Sequence, residues 1–187
     1  VKALSESDGR ADDGWGAGPD GLSLDLSIGF ADGHRDENRA GWLPDASFLS
    51  RHAALALPPH ETGGVRYELS VRLVANEEGA RLNRDYRGVD RPTNVLSFES
   101  GLPPLDGWCA LGDLVFCPAV IACEAREQDK GLSDHWAHLV VHGTLHLLGH
   151  DHQDDAAADA MEALEIRLLS RVGIADPYRG TADDPDE

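Results

Sequence analysis

An α+β fold, with a small mixed β-sheet covered by about five helices, is predicted by three patterns in the sequence. LSLDLSI from Leu22 and RYELSVRLV from Arg66 alternate apolar and polar side chains, as half-buried strands do. Other segments carry helix start signals followed by apolar faces. The elements run strand, helix, strand and helix, then two short apolar runs, then three closing helices. That order suits helices packed over one small sheet. A chain of 187 residues with 41% hydrophobic content is long enough to bury a real core as one domain.

Residues 1–20 are rich in Gly, Asp and Ser without apolar periodicity, so a mobile acidic arm is expected before a domain spanning 22–178. Asp45 to Leu55 forms a helix between the two alternating strands. Asn76 is the expected N-cap of a helix through about Tyr86, with Glu77 and Glu78 favourably placed in its first turn. RGVDRPTN is a turn-rich link. NVLSF and LGDLVFC then read as strands joined by the irregular loop GLPPLDG. Pro118 opens a helix to about Gln128, since proline is tolerated at a first helical position. Ser133 is expected to cap a buried helix from Asp134 to Leu148, and Asp154 or Asp155 starts the last one. In that last helix Met161, Leu164, Ile166, Leu168 and Leu169 pack inward while its acids face solvent. Residues 179–187 form an acidic tail.

Composition narrows the function classes. A formal charge of −18 argues for a well-solvated surface and against broad nonspecific binding to nucleic acid. A local basic strip survives in Arg81, Arg84, Arg87 and Arg91, although Arg81 and Arg84 read as solvated helix charges. No apolar run approaches the roughly 18 residues of a membrane span, and LSLDLSIGF lacks the basic flank of a signal peptide. A cytoplasmic location is therefore expected. Cys109, Cys117 and Cys123 lack CxxC spacing and read as reduced thiols. Val1 in place of methionine decides nothing.

The motif HGTLHLLGHDH carries the chemistry. It sets His142, His146 and His152 at offsets 0, 4 and 10, with Gly149 at offset 7. Residues four apart share a helix face, so His142 and His146 can grip one ion. On a continuing helix His152 would lie about 15 Å along the axis from His142. Gly149 lets the chain turn back through the left-handed conformation and return His152 to the metal. These offsets match the metzincin pattern H-E-x-x-H-x-x-G-x-x-H, but the glutamate that serves peptide hydrolysis is replaced by Gly143. Gly143 is read as allowing substrate or water close to that turn, ahead of tight helix packing. Three nitrogen ligands leave a fourth position open, as catalytic zinc sites do. Nickel, copper and iron also suit imidazole. His138, one turn before His142, lines the cleft or caps its outer end, and His150 competes with His152 for the ion. Asp151 either orients a ligand ring or, as preferred, holds the turn. Thr93, Asn94 and Ser97 are candidates for a substrate groove, with turn fixing as the alternative.

HGTLHLLGHDH, LNRDYRGVDRPTNVLSF, LGDLVFC and the EALE helix together closely resemble the YbeY family of bacterial rRNA maturation endoribonucleases. The resemblance spans most of Leu22 to Tyr178. It implies a zinc-dependent endoribonuclease with one ion per chain, acting on single-stranded RNA in small-subunit (16S) rRNA maturation and ribosome quality control. Its implied partners are the small subunit or its assembly factors, with neither DNA nor membrane. Carried over by position, the metal ligands are His142, His146 and His152, and the family's functional arginine is Arg87. Without that resemblance, a salt bridge from Arg87 to Asp85 or Asp90 would rank first. The family commonly has tyrosine where this chain has His150. Two other readings stand beside this one: a ribosome-assembly factor with a structural metal, and a zinc peptidase, which Gly143 opposes.

Overall fold

The computed structural model describes residues 22–29, 42–58, 65–150 and 154–179. The expected arm over 1–20 lies outside them, as do Asp151, His152 and residues 180–187 of the expected tail. Four strands and five helices are described: β1 (Leu22–Gly29), α1 (Ala46–Ala56), β2 (Arg66–Val74), α2 (Asn76–Arg87), β3 (Val95–Glu99), β4 (Trp108–Phe116), α3 (Pro118–Glu127), α4 (Leu132–Leu147) and α5 (Asp155–Ser170). This is the expected α+β architecture. The sheet order is β1-β2-β4-β3, parallel except where β3 returns antiparallel to β4.

Strand periodicity sorts the side chains into two layers. Leu69, Val71 and Leu73 of β2, Val95 of β3, and Leu114 and Phe116 of β4 join Leu49 of α1 and Trp136, Leu139 and Val140 of α4 in the main core. The alternate residues Leu96 and Val115, with Val74, face the other way and are covered in part by Leu82 of α2. Helix α4 is buried around most of its circumference, as its sequence predicts, because α1, α3, α5, β3 and β4 all touch it. None of the helices described is long and apolar enough to cross a membrane.

Two expected caps are corrected. Ala75 rather than Asn76 occupies the N-cap of α2, and the Asn76 side chain instead accepts from the Cys117 thiol at 3.0 Å. Gly131 rather than Ser133 caps α4, while the Ser133 hydroxyl donates to Asp134. Asp45 and Asp154 do cap α1 and α5, accepting from Phe48 N at 2.7 Å and Ala157 N at 2.8 Å.

Candidate metal centre and arginine groove

The end of α4 is built as the sequence requires. Gly149 has φ +85°, its N–H donates to His146 O at 2.9 Å, and His150 N donates to Leu145 O at 3.0 Å. This paired closure satisfies the last carbonyls and turns the chain off the helix axis. Upstream of the turn, His142 and His146 bring their Nε2 atoms to 3.2 Å, with rings 80° apart. Two nitrogens bound tetrahedrally to one zinc at ordinary bond lengths sit about 3.3 Å apart. The pair therefore fits a shared divalent cation. His152, the expected third ligand, lies outside the described residues, as does Asp151.

Behind His142 is a buried carboxylate. Glu165 of α5 has no exposed surface, and its Oε1 lies 2.8 Å from His142 Nδ1 while Oε2 lies 2.8 Å from His138 Nε2. The Tyr178 hydroxyl, from the segment after α5, also donates to Oε2. Burial alone would raise this carboxyl, but the hydrogen bonds from His138 and His142 prevail and hold it down to about 2. Burial lowers His138 below its ordinary value, against the pull of Glu165. Burial likewise pushes the Tyr178 phenol upward, and Glu165 pushes it the same way. The result is a buried carboxylate that accepts hydrogen bonds from two imidazoles and a phenol. His138, His142 and Glu165 together form a group with donor atoms close enough to hold a metal.

The remaining predicted residues separate into distinct places. Asn94 donates to both Glu124 oxygens at 3.2 and 3.1 Å, and its own Oδ1 accepts from Val95 N at 2.6 Å. His135 Nε2 meets Glu124 at 3.0 Å. With His138, His142 and Tyr178 these residues line a pocket of about 290 Å³. Thr93 lies instead in a wider groove of about 740 Å³ between α2 and α3, together with Arg87, Arg91 and Arg126. Glu124 borders both spaces. Ser97 donates to Gly143 O at 3.3 Å and belongs to the joint between β3 and α4. His150 is exposed and lines a third groove with Leu164 and Arg171.

Gly143 proves to be a packing position. A Cβ there would meet Leu114 Cδ2 at 2.8 Å, with Ser97 Oγ and Val95 Cγ2 at 3.4 Å. The absent side chain lets α4 lie close on β3 and β4, so the expectation of substrate or water access is corrected. Arg87 escapes the salt bridges that its sequence neighbours suggested. Arg84 takes Asp90 at 3.1 Å and Asp85 at 3.6 Å, and Arg81 meets Glu78 at 3.6 Å. Among the described residues no carboxylate lies within ion-pair distance of Arg87, Arg91 or Arg126. The expected basic strip thus divides into paired and unpaired members.

A family model described as Endoribonuclease YbeY matches residues 47–173. The chain belongs to the YbeY family. Curated relatives include an endoribonuclease YbeY of Alkalilimnicola ehrlichii, 53% identical over 163 residues, covering 86% of this chain and 94% of that one. Another, of Chromohalobacter salexigens, is 58% identical over 136 residues, covering 73% of this chain and 88% of the relative. A solution structure of a Thermotoga maritima protein aligns with TM-score 0.48 and 24% identity over 88% of this chain and 99% of its own. In this YbeY-family chain the residue that sequence reasoning missed is Glu165, expected to face solvent with the other acids of α5. Its signal was positional. Four residues after Met161 and four before Leu169, it falls on the buried stripe of the helix. Arg126, one turn after Ala122 on α3, gave no signal because its groove is assembled from residues far apart in sequence.

Proposed function

We propose that the chain is a metal-dependent endoribonuclease that cleaves single-stranded RNA in the cytoplasm, with small-subunit rRNA as its substrate. His142, His146 and His152 are its metal ligands, with zinc the preferred ion for an all-nitrogen donor set, and Arg87 holds the phosphate under attack. The observation that carries this reading is that Glu124 borders two spaces, a pocket lined by His135, His138 and the proposed ligand His142, and a groove lined by Arg87, Arg91 and Arg126, none of which is ion-paired among the described residues.

When bound, a divalent cation supplies a water of lowered pKa and neutralises charge on a phosphoryl oxygen. The protein's own part is to bind and orient. Arg87 presents a planar guanidinium able to bond two phosphate oxygens and to offset the charge that develops on them. Arg91 and Arg126 extend that cationic wall along the groove and suit neighbouring phosphates of a splayed strand. Asn94 anchors Glu124 and keeps the partition between the two spaces fixed. Because the surface as a whole is strongly acidic, delivery to rRNA calls for a partner on the small subunit or among its assembly factors.

The decisive experiment offers metal-defined protein a labelled single-stranded RNA and, in parallel, a casein-like substrate. Cleavage of RNA alone is the expected result. Arg87→Glu should lower RNA cleavage by about 100-fold or more while zinc content and thermal midpoint stay within error. Casein cleavage would establish the peptidase instead. Retention of RNA cleavage by Arg87→Glu, or equal loss of folding and cleavage, would remove Arg87 from the phosphate site.

A further inference from the structure

We propose that Glu165 is a positioning residue of the metal centre, its carboxylate fixing His142 in the tautomer whose Nε2 faces the cation. The proposal rests on the reading that His142 and His146 share an ion, and does not depend on which substrate is cut.

Glu165 Oε1 is placed as the acceptor of a hydrogen bond from the His142 ring, so the ring must bring the proton. His142 does so through Nδ1 at 2.8 Å. A neutral imidazole with its hydrogen on Nδ1 carries its lone pair on Nε2. That is the atom 3.2 Å from His146 Nε2. The Glu165 contact therefore selects the form of His142 that can bind a metal beside His146, and it holds the ring plane as well. A buried unpaired charge would be strongly destabilising, and the other oxygen is satisfied by His138 Nε2 and the Tyr178 hydroxyl. Glu165 is thus supplied with donors from α4 and from the segment that follows α5, and its position is over-determined.

The same three residues admit a different use, in which His138, His142 and Glu165 themselves surround an ion. The distances here are those of hydrogen bonds. Both Glu165 contacts to imidazole are 2.8 Å, the length of a charge-assisted N–H···O bond. Co-ligands of one tetrahedral ion stand about 3.3 Å apart. Seating an ion among them would also displace the protons that now satisfy the carboxylate.

Two measurements test the assignment, and neither reads RNA cleavage. In the metal-free, unaltered protein, long-range ¹H–¹⁵N spectra of the histidine rings should give His142 as the Nδ1–H tautomer. An Nε2–H pattern would overturn the proposal. In chelator competition, Glu165→Gln should bind zinc about 10–100-fold more weakly and shift the visible spectrum of the cobalt-substituted protein, whereas Asp159→Asn, an exposed change on the same helix, should leave both alone. Undiminished zinc affinity in a folded Glu165→Gln protein would refute it. If that variant does not fold, the tautomer measurement stands by itself. Tight zinc binding with the expected tautomer but no RNA cleavage would defeat the proposed function and leave this assignment standing.

Discussion

Glu165 and Arg87 are both charged side chains on helices, yet their surroundings give them opposite work. Glu165 has every oxygen engaged and serves through its neighbours, whereas Arg87 is left unpaired in a groove because Arg84 has taken the nearby acids. The pairing of His142 with His146 and the turn at Gly149 were legible from sequence because helix geometry alone relates them. The solitude of Arg87 was not, since it depends on which of two adjacent arginines reaches Asp90. Away from the site, His52 is buried, with its ring Nδ1 2.7 Å from Phe48 O. Burial lowers its pKa despite the bond to Phe48, so folding prefers the neutral ring. Its contribution to stability is therefore complete above about pH 6.5 and is lost as pH falls from there through the lower folded value. Urea midpoints between pH 7.5 and 5.5 should fall more steeply for the parent than for His52→Gln, and equal slopes would show that His52 is not the group responsible. Gly112 in the LGD strand is equally constrained: it has φ +132°, and a Cβ would come within 2.0 Å of Phe98 O. Gly112→Ala should cost about 3 kcal/mol or more, measured by chemical denaturation; a loss below about 1 kcal/mol would mean that β3 shifts to accommodate it.

At the scale of elements, the strands and helices followed their periodicities, and the boundaries erred where side chains found distant partners. Asn76 looks like a cap, but the Cys117 thiol, 41 residues on, occupies its oxygen. Asp154 is a cap in fact, and α5 starts where it was expected. The burial of Glu165 could be placed by helical period but not its partners, because they come from α4 and from beyond the end of α5. Asp154→Ala should destabilise the fold by about 1 kcal/mol, seen as a lower thermal midpoint. Because the cap lies more than two turns from Glu165, zinc affinity in the folded variant should stay within about twofold of the parent, far from the loss expected when the carboxylate itself is removed. A tenfold weakening would mean that the first turn of α5 also sets the metal centre.

For the whole molecule, the central tension is between a charge of −18 and a nucleic-acid substrate. Attraction must be local. If Arg87, Arg91 and Arg126 each neutralise one phosphate, the logarithm of the RNA association constant should fall with the logarithm of salt at a slope of about −2. Arg126→Ala should reduce that slope by about 0.7 without changing zinc content. A slope near zero would move RNA binding away from this groove. The architecture was legible at this scale because the one small sheet and five helices of the described residues leave few ways to pack. The division of the surface into a histidine pocket and an arginine groove was not, because Glu124 borders both through contacts that the sequence does not bring together.

Helix α4 is in touch with α1, α3, α5 and two strands at once, so no local opening can loosen it alone. Its amides between Trp136 and Leu145 should be among the slowest in the protein to exchange with deuterium, at rates set by global unfolding. The backbone beneath His142 is then a rigid bed, and a cation held there would leave through the mouth of the site rather than through breathing of its floor.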